Sequence, residues 1–224
     1  PQKNQHFITT NTERRMFLEK QGVDVEIEYP FTEDFMNMEP EAFIEEILIG
    51  RLHAKYVVVG TDYHFGKGRM GNAQMLLERG PEYGFETTIV EKERYQEREI
   101  SSTYVREELR LGHMETVNVL LGRPYSIYGI VSKGKQLGRQ LNLPTLNIYP
   151  PDSKLLPPNG VYASITRLDG KEYFGVTNLG VRPTLDDSPL LSVETNLFDY
   201  NDDAYGHYIE VQLMHFLRQE MKFD

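Results

Sequence analysis

The chain has 224 residues, no cysteine and a formal net charge of −10, with 39% apolar and 26% charged residues. That composition suits a soluble globular protein of one large domain or two small ones, and it excludes disulfides and thiolate chemistry. The acidic balance, with no run of Lys and Arg, argues against a nucleic-acid partner. No apolar run approaches a membrane span and no signal-peptide pattern opens the sequence, so no membrane partner is expected and the cytoplasm is the default compartment. The first residue is Pro rather than Met, and the sequence is read as a fragment of a longer chain or an incomplete one. Oligomeric state is not legible.

Thr10-Asn11-Thr12-Glu13 has capping-box spacing, and an amphipathic run follows to Gly22. Val25–Tyr29 reads as a short strand. Pro40 opens a second helix whose apolar stripe is Phe43, Ile44, Ile47 and Leu48. Tyr56–Gly60, YVVVG, has no alternation, as in a strand buried on both faces. Asn72 is a candidate N-cap for a helix ending near Gly80. Glu86–Val90 is a further strand, Ser102 is read as the cap of a helix reaching Leu111-Gly112, and Glu115–Leu121 is another, stopped by Gly122 and Pro124. Strands alternating with helices predict an α/β layer with a mostly parallel sheet.

Two places in this half suit ligand chemistry. Gly60–Gly68, GTDYHFGKG, follows the YVVVG strand directly, and the C-terminal ends of such strands are where α/β folds bind ligands. It is not a P-loop, since Lys67 precedes Gly rather than Ser or Thr. Tyr63 and Phe65 could stack on a planar ring or simply fill a core. Ile100–Arg106, ISSTYVR, places hydroxyls and free N–H groups at a helix start with Arg106 one turn in; it reads either as an anion site or as a plain N-cap. None of the six His shows metal-ligand spacing or a hydrolytic-triad pattern.

From Tyr125 the texture changes to short alternating runs with regular turns, the pattern of a small antiparallel barrel. Val161–Leu168 and Lys171–Asn178 flank Asp169-Gly170, a hairpin signal. Leu190–Phe198 and His207–Phe216 are further strands, and the acidic stretch 199–203 is read as a turn. In Ser192–Asn196, Val193 and Thr195 share one face, and Glu194 and Asn196 the other. Glu194 is either a solvated strand residue or a base aimed into the barrel mouth.

The segment Gly129–Asn147 carries the sharpest reading. It opens as a strand, passes a loop with Lys133, Gly134, Lys135, Gly138 and Arg139, and closes on Pro144-Thr145-Leu146-Asn147. Glycines let a backbone approach a bulky anion, and the basic side chains balance its charge. If the chain stays extended past Pro144, Thr145 and Asn147 point the same way and Leu146 the other. Two neutral hard oxygens beside an anion loop suit part of the shell of Mg²⁺. The alternative is a Gly-rich hairpin leading into an ordinary strand.

The second half resembles bacterial riboflavin kinases in an ordered set of pieces: Gly129–Asn147, Pro158–Tyr162, Thr177–Thr184, Val193-Glu194, Tyr205-Gly206 and the stretch 217–223. The first half resembles the C-terminal part of the FMN adenylyltransferase module of the prokaryotic bifunctional FAD synthetases, through Gly60–Gly71 and Ile100–Arg106. The resemblance implies a partial Rossmann-type nucleotidyltransferase domain, residues 1–122, followed by a riboflavin kinase-like barrel, residues 123–224. It implies phosphorylation of riboflavin to FMN and adenylylation of FMN to FAD, with ATP and Mg²⁺, and small molecules as the partners.

By the same resemblance, Thr145 and Asn147 are the metal ligands and Glu194 the base for the ribityl 5′-hydroxyl. Lys133, Gly134, Lys135, Gly138, Arg139 and Pro144 are the kinase's ATP contacts. In the first module Ser101, Ser102, Thr103 and Arg106 hold ATP phosphates, and Asp62, Phe65 and Gly66 line the nucleotide or flavin cleft. The family's His-x-Gly-His element is expected upstream of residue 1, so the chain as given is not expected to transfer an adenylyl group alone. The family's C-terminal helix near the flavin is expected beyond Asp224. Its usual Gly-Phe-Pro-Thr-Ala-Asn is Asn142–Asn147 here, with Leu146 facing away from the metal. The rival readings are a non-catalytic flavin-binding barrel and a nucleotidyltransferase of other substrate.

Overall fold

Helix and strand boundaries follow local capping and turn chemistry closely. The computed structural model describes residues 6–132, 145–183 and 189–221. They group into two compact units, Val25–Ile100 and a second made of Pro1–Asp24 with Ser101–Asp224.

In the first unit, β1 (Tyr56–Gly60) pairs in parallel with β2 (Glu86–Val90), Val58 opposite Thr88. The core is Ile44, Leu48, Phe65, Leu76 and Phe85, with Val57 and Val59 packed against it. β1 is therefore not buried on both faces as its composition predicts. Tyr56 and Val58 are 73% and 67% exposed, because successive side chains alternate and helices cover one face. The expected strand Val25–Tyr29 is not a strand: Val25 and Ile27 are exposed and the segment joins no ladder among the described residues. β-branched residues favour a pleated, half-buried surface, and that preference is not satisfied without neighbours. Pro40 does open a helix (Pro40–Ala42), which continues as a wider π-helical run over Phe43–Arg51. The Asn72-capped helix, Ala73–Tyr83, runs through Gly80-Pro81 instead of ending there. Its stop is Gly84, at φ 77, a conformation that suits a residue without Cβ.

The second unit starts with α1 (Asn11–Lys20). Its capping box is complete: Thr10 Oγ1 accepts from the Glu13 amide, and the Glu13 carboxylate accepts from the Thr10 amide. Ahead of α1, the Phe7 amide donates to the Ser153 carbonyl and the Leu155 amide to the Phe7 carbonyl. Lys154 Nζ, 3% exposed, donates to Glu13 Oε2 at 2.7 Å and to the Ile8 carbonyl at 2.9 Å. The helices α2 (Ser102–Leu111) and α3 (Met114–Leu121) end at Gly112 and Gly122, both left-handed. Ser101, not Ser102, caps α2, accepting from the Tyr104 amide at 3.2 Å; the cap lies one residue before the first helical one. Asn118 ties α3 to the sheet, donating to the Leu213 carbonyl and accepting from the Tyr125 amide.

Six antiparallel strands follow: β3 (Tyr125–Ile130), β4 (Leu146–Ile148), β5 (Gly160–Leu168), β6 (Lys171–Pro183), β7 (Pro189–Leu197) and β8 (Tyr208–Arg218), in spatial order β3-β8-β5-β6-β7-β4. The sheet curls until its two edges meet, where the Ser132 amide donates to the Asn147 carbonyl at 2.8 Å. Asp169 and Gly170, at φ 50 and 77, form the tight β5–β6 turn. The inner face holds Leu179, Val193, Val211 and Leu213, together with a hydroxyl ladder. Thr177 Oγ1 lies 2.8 Å from Ser164 Oγ and 2.9 Å from Thr195 Oγ1. Each of these three buried hydroxyls thus has a partner, which avoids the cost of burying an unpaired one.

Candidate functional site

Antiparallel pairing and a period of two decide which side chains share the outer face of the barrel. Asn147 on β4 is the direct cross-strand partner of Glu194 on β7, and Glu194 that of Asn178 on β6. Val161 on β5 and Arg218 on β8 extend the same row. The inner-face neighbours of Glu194, Val193 and Thr195, are fully buried, while Glu194 and Asn196 are half-buried.

A cavity of about 400 Å³ opens on this face. Thr145, Asn178, Glu194, Asn196 and Glu220 provide its main oxygen and amide groups, and Val161, Val176 and Met221 its apolar wall. Arg218 also lines it. Thr145 and Glu194 therefore face one space. Asn147 lies beneath, 4% exposed, its Nδ2 donating to the Thr145 carbonyl at 3.3 Å. Its Oδ1 is buried with no hydrogen-bond partner among the described residues. The candidates Lys133, Gly134, Lys135, Gly138, Arg139 and Pro144 lie outside the described residues. Sequence reasoning missed Asn178, Asn196, Arg218 and Glu220 as wall residues. Asn178 sits in a matched piece, but only the β6–β7 register puts it beside Glu194.

The adenylyltransferase candidates divide between the two units. In the first, Asp62 accepts from Lys92 Nζ at 2.7 Å, and that bond holds its carboxyl below the usual range. Phe65 is buried, 5.1 Å from the Phe43 ring and stacked at 5.7 Å on Tyr63. Gly66 has φ 70, and a Cβ there would lie 2.8 Å from Pro40, so only glycine fits. In the second unit Ser101 is the N-cap, Ser102 and Thr103 are exposed in the first turn of α2, and Arg106 donates to the His6 carbonyl at 2.7 Å.

On β8, opposite Tyr128 and Arg167, Glu210 accepts from Ser126 Oγ at 2.7 Å and Gln212 Nε2 at 3.1 Å. Burial raises its pKa, but these donors outweigh burial and hold it below the ordinary glutamate value. Among the described residues no three acidic or His side chains are placed to hold a metal ion, and no helix is long and apolar enough to cross a membrane.

The riboflavin kinase family model matches residues 121–224, and the FAD synthetase model residues 1–104. A bifunctional riboflavin kinase/FMN adenylyltransferase of Haemophilus influenzae is 38% identical, over 99% of this chain and 74% of that protein. The protein of that description from Listeria monocytogenes is 34% identical, over 99% and 70%. A crystal structure described as a macrolide-efflux protein from Streptococcus pneumoniae aligns with a TM-score of 0.85 at 29% identity, over 98% of this chain and 70% of that one. With both modules matched in order and relatives aligned along nearly its whole length, the chain belongs to the bifunctional riboflavin kinase/FMN adenylyltransferase family.

Proposed function

We propose that the cavity on the outer face of the barrel is where the chain phosphorylates riboflavin to FMN with ATP, and that residues 1–122 belong to the module that adenylylates FMN to FAD. The observation that carries the kinase reading is the pairing of Asn147 with Glu194, beside a cavity that Thr145 and Glu194 both line. Phosphoryl transfer needs in-line positioning and charge neutralisation more than covalent chemistry. Glu194 takes the proton of the ribityl 5′-hydroxyl as its oxygen bonds to the γ-phosphorus and the bond to the β-bridging oxygen breaks, leaving ADP.

The donor set fits Mg²⁺. A buried amide oxygen without a partner is costly unless something satisfies it, and among the described residues Asn147 Oδ1 has none. Thr145 Oγ1 and Asn147 Oδ1 would hold the ion. Both are neutral, which suits an ion that keeps waters and binds substrate phosphates. When bound it neutralises phosphate charge. Lys133, Gly134, Lys135, Gly138, Arg139 and Pro144 are proposed to contact the nucleotide.

For the second activity, Ser101, Ser102, Thr103 and Arg106 at the start of α2 are proposed phosphate contacts, with Asp62, Phe65 and Gly66 near nucleotide or flavin. In that reaction the FMN phosphate bonds to the α-phosphorus of ATP and pyrophosphate leaves. The cytoplasm, which supplies ATP, is the proposed place of action. Incubating the full chain with riboflavin, ATP and Mg²⁺ tests the kinase reading. FMN and ADP in equal amounts are expected; riboflavin bound but unconverted would leave only a flavin-binding barrel.

A further inference from the structure

The end of β8 lies against two glycines. A Cβ at Gly160 would sit 2.5 Å from the Arg218 carbonyl oxygen and 2.7 Å from the Phe216 ring. One at Gly180 would sit 3.0 Å from Glu220 Oε1 and 3.5 Å from Asn178 Nδ2. The chain after Arg218 can thus approach β5 and β6, with Glu220 over the bare Gly180. Asn178 Nδ2 donates to Glu220 Oε1 across a long 3.4 Å, and both line the cavity with Glu194. The kinase reading assigns no role to this pair.

Resting on that reading, we propose that Glu220, oriented by Asn178 in the space left by Gly180, is a specificity-determining acceptor for the hydroxylated chain of the flavin substrate. Three observations carry this. An ionised carboxylate only accepts hydrogen bonds, so it suits hydroxyls and repels phosphate oxygens. The register puts Asn147 and Asn178 on opposite sides of Glu194, so Asn178 lies one strand spacing, about 4.8 Å, beyond the base on the side away from the proposed metal. A hydroxyl held at Glu194 with the phosphates on the Asn147 side has the rest of its chain directed toward Asn178 and Glu220. Val161 lies on the next strand beyond Asn178, and with Val176 and Met221 it gives the cavity an apolar wall suited to a ring. Asn178 is a positioning residue and acts through Glu220.

The test uses the full chain, with riboflavin and with lumiflavin, which has the ring system but not the hydroxylated chain. E220Q is expected to raise the KM and Kd for riboflavin roughly 10-fold or more, as for a lost hydrogen bond to a charged group. The KM for ATP and the Kd for lumiflavin are expected to stay within twofold. G180A keeps the carboxylate but crowds it, and should shift riboflavin binding in the same direction by less. N178A should act likewise, and its effect should vanish in an E220Q background. Unchanged riboflavin binding in E220Q, equal loss of lumiflavin, or a shifted Mg²⁺ titration would each overturn the proposal. E194Q, assayed in parallel, separates the two readings: if it loses turnover while E220Q changes nothing, the kinase assignment stands and this one falls.

Discussion

Asn147 and Glu194 are direct partners in the antiparallel ladder between β4 and β7. Cβ atoms of such partners on one face stand about 4.5–5.5 Å apart. A buried amide oxygen, without a partner among the described residues, and a half-buried carboxylate thus meet on one face of a sheet. For the proposed reaction, which depends on placing phosphates against a hydroxyl, this would set the proposed metal site and the proposed base one strand apart.

Replacing the carboxylate tests the base directly. E194Q keeps the shape of the side chain and removes its basicity. We expect kcat for FMN formation to fall at least 100-fold, the lower end of what a positioned base contributes, with the KM for ATP nearly unchanged. Steady-state kinetics at saturating Mg²⁺ measure it, and retained turnover would remove Glu194 from the chemistry.

Asn147 separates activity from stability. Its Oδ1 has no partner among the described residues, so N147L removes an unsatisfied polar atom together with the long 3.3 Å bond from Nδ2 to the Thr145 carbonyl. Removing the unsatisfied oxygen offsets part of the loss of that one bond, about 1 kcal/mol. The melting temperature is expected to stay within a few degrees of the parent while FMN formation is lost, and T145A should need more Mg²⁺ for half-maximal rate. A large drop in melting temperature for N147L would point to a structural role instead.

The Glu13–Lys154 pair clamps α1 and the segment before it to the barrel. Both side chains are almost wholly buried. Removing one partner strands the other charge, at a cost of about 3–5 kcal/mol. K154M or E13L alone should therefore sharply lower the midpoint of urea unfolding. The double variant should recover most of the loss, since a well-packed apolar pair often matches a buried ion pair. Additive losses in the double variant would count against the clamp.

Glu210 makes stability depend on acid. Its folded pKa lies below the ordinary 4.5, so its contribution is present above that value and is lost as pH falls through the lower folded value. E210Q should be less stable than the parent at neutral pH, and the difference should shrink below about pH 4.5. Thermal melts of both proteins at a series of pH values measure it; a constant difference would show that its hydrogen bonds do not favour the charged form.

Much was legible in the residues because it is local. Thr10 with Glu13 is a reciprocal cap whatever surrounds it, Asp169-Gly170 is a turn because both residues tolerate φ > 0, and the antiparallel barrel follows from alternating runs between such turns. The ordered motifs pointed to the family for the same reason. Where the sequence misled, a neighbour was at issue. Val25–Tyr29 and YVVVG have the composition of strands, but burial belongs to the layer a strand joins, and that layer covers one face of β1 and leaves the other segment outside any ladder. Ser101 displaced Ser102 as cap by a shift of one residue, within the ordinary uncertainty of a helix end.

Sequence by itself determined most of the elements, the face each side chain takes along its own strand, and the kinds of side chain available at Thr145, Asn147 and Glu194. Only the tertiary structure decided that Asn147 stands opposite Glu194, that Asn178 flanks it on the other side, and that Glu220 returns over Gly180 to the same cavity. Those relations are set by register between strands far apart in the chain. A one-residue slip would turn a strand's side chains to the opposite face, and burial of the inner face is what prevents it.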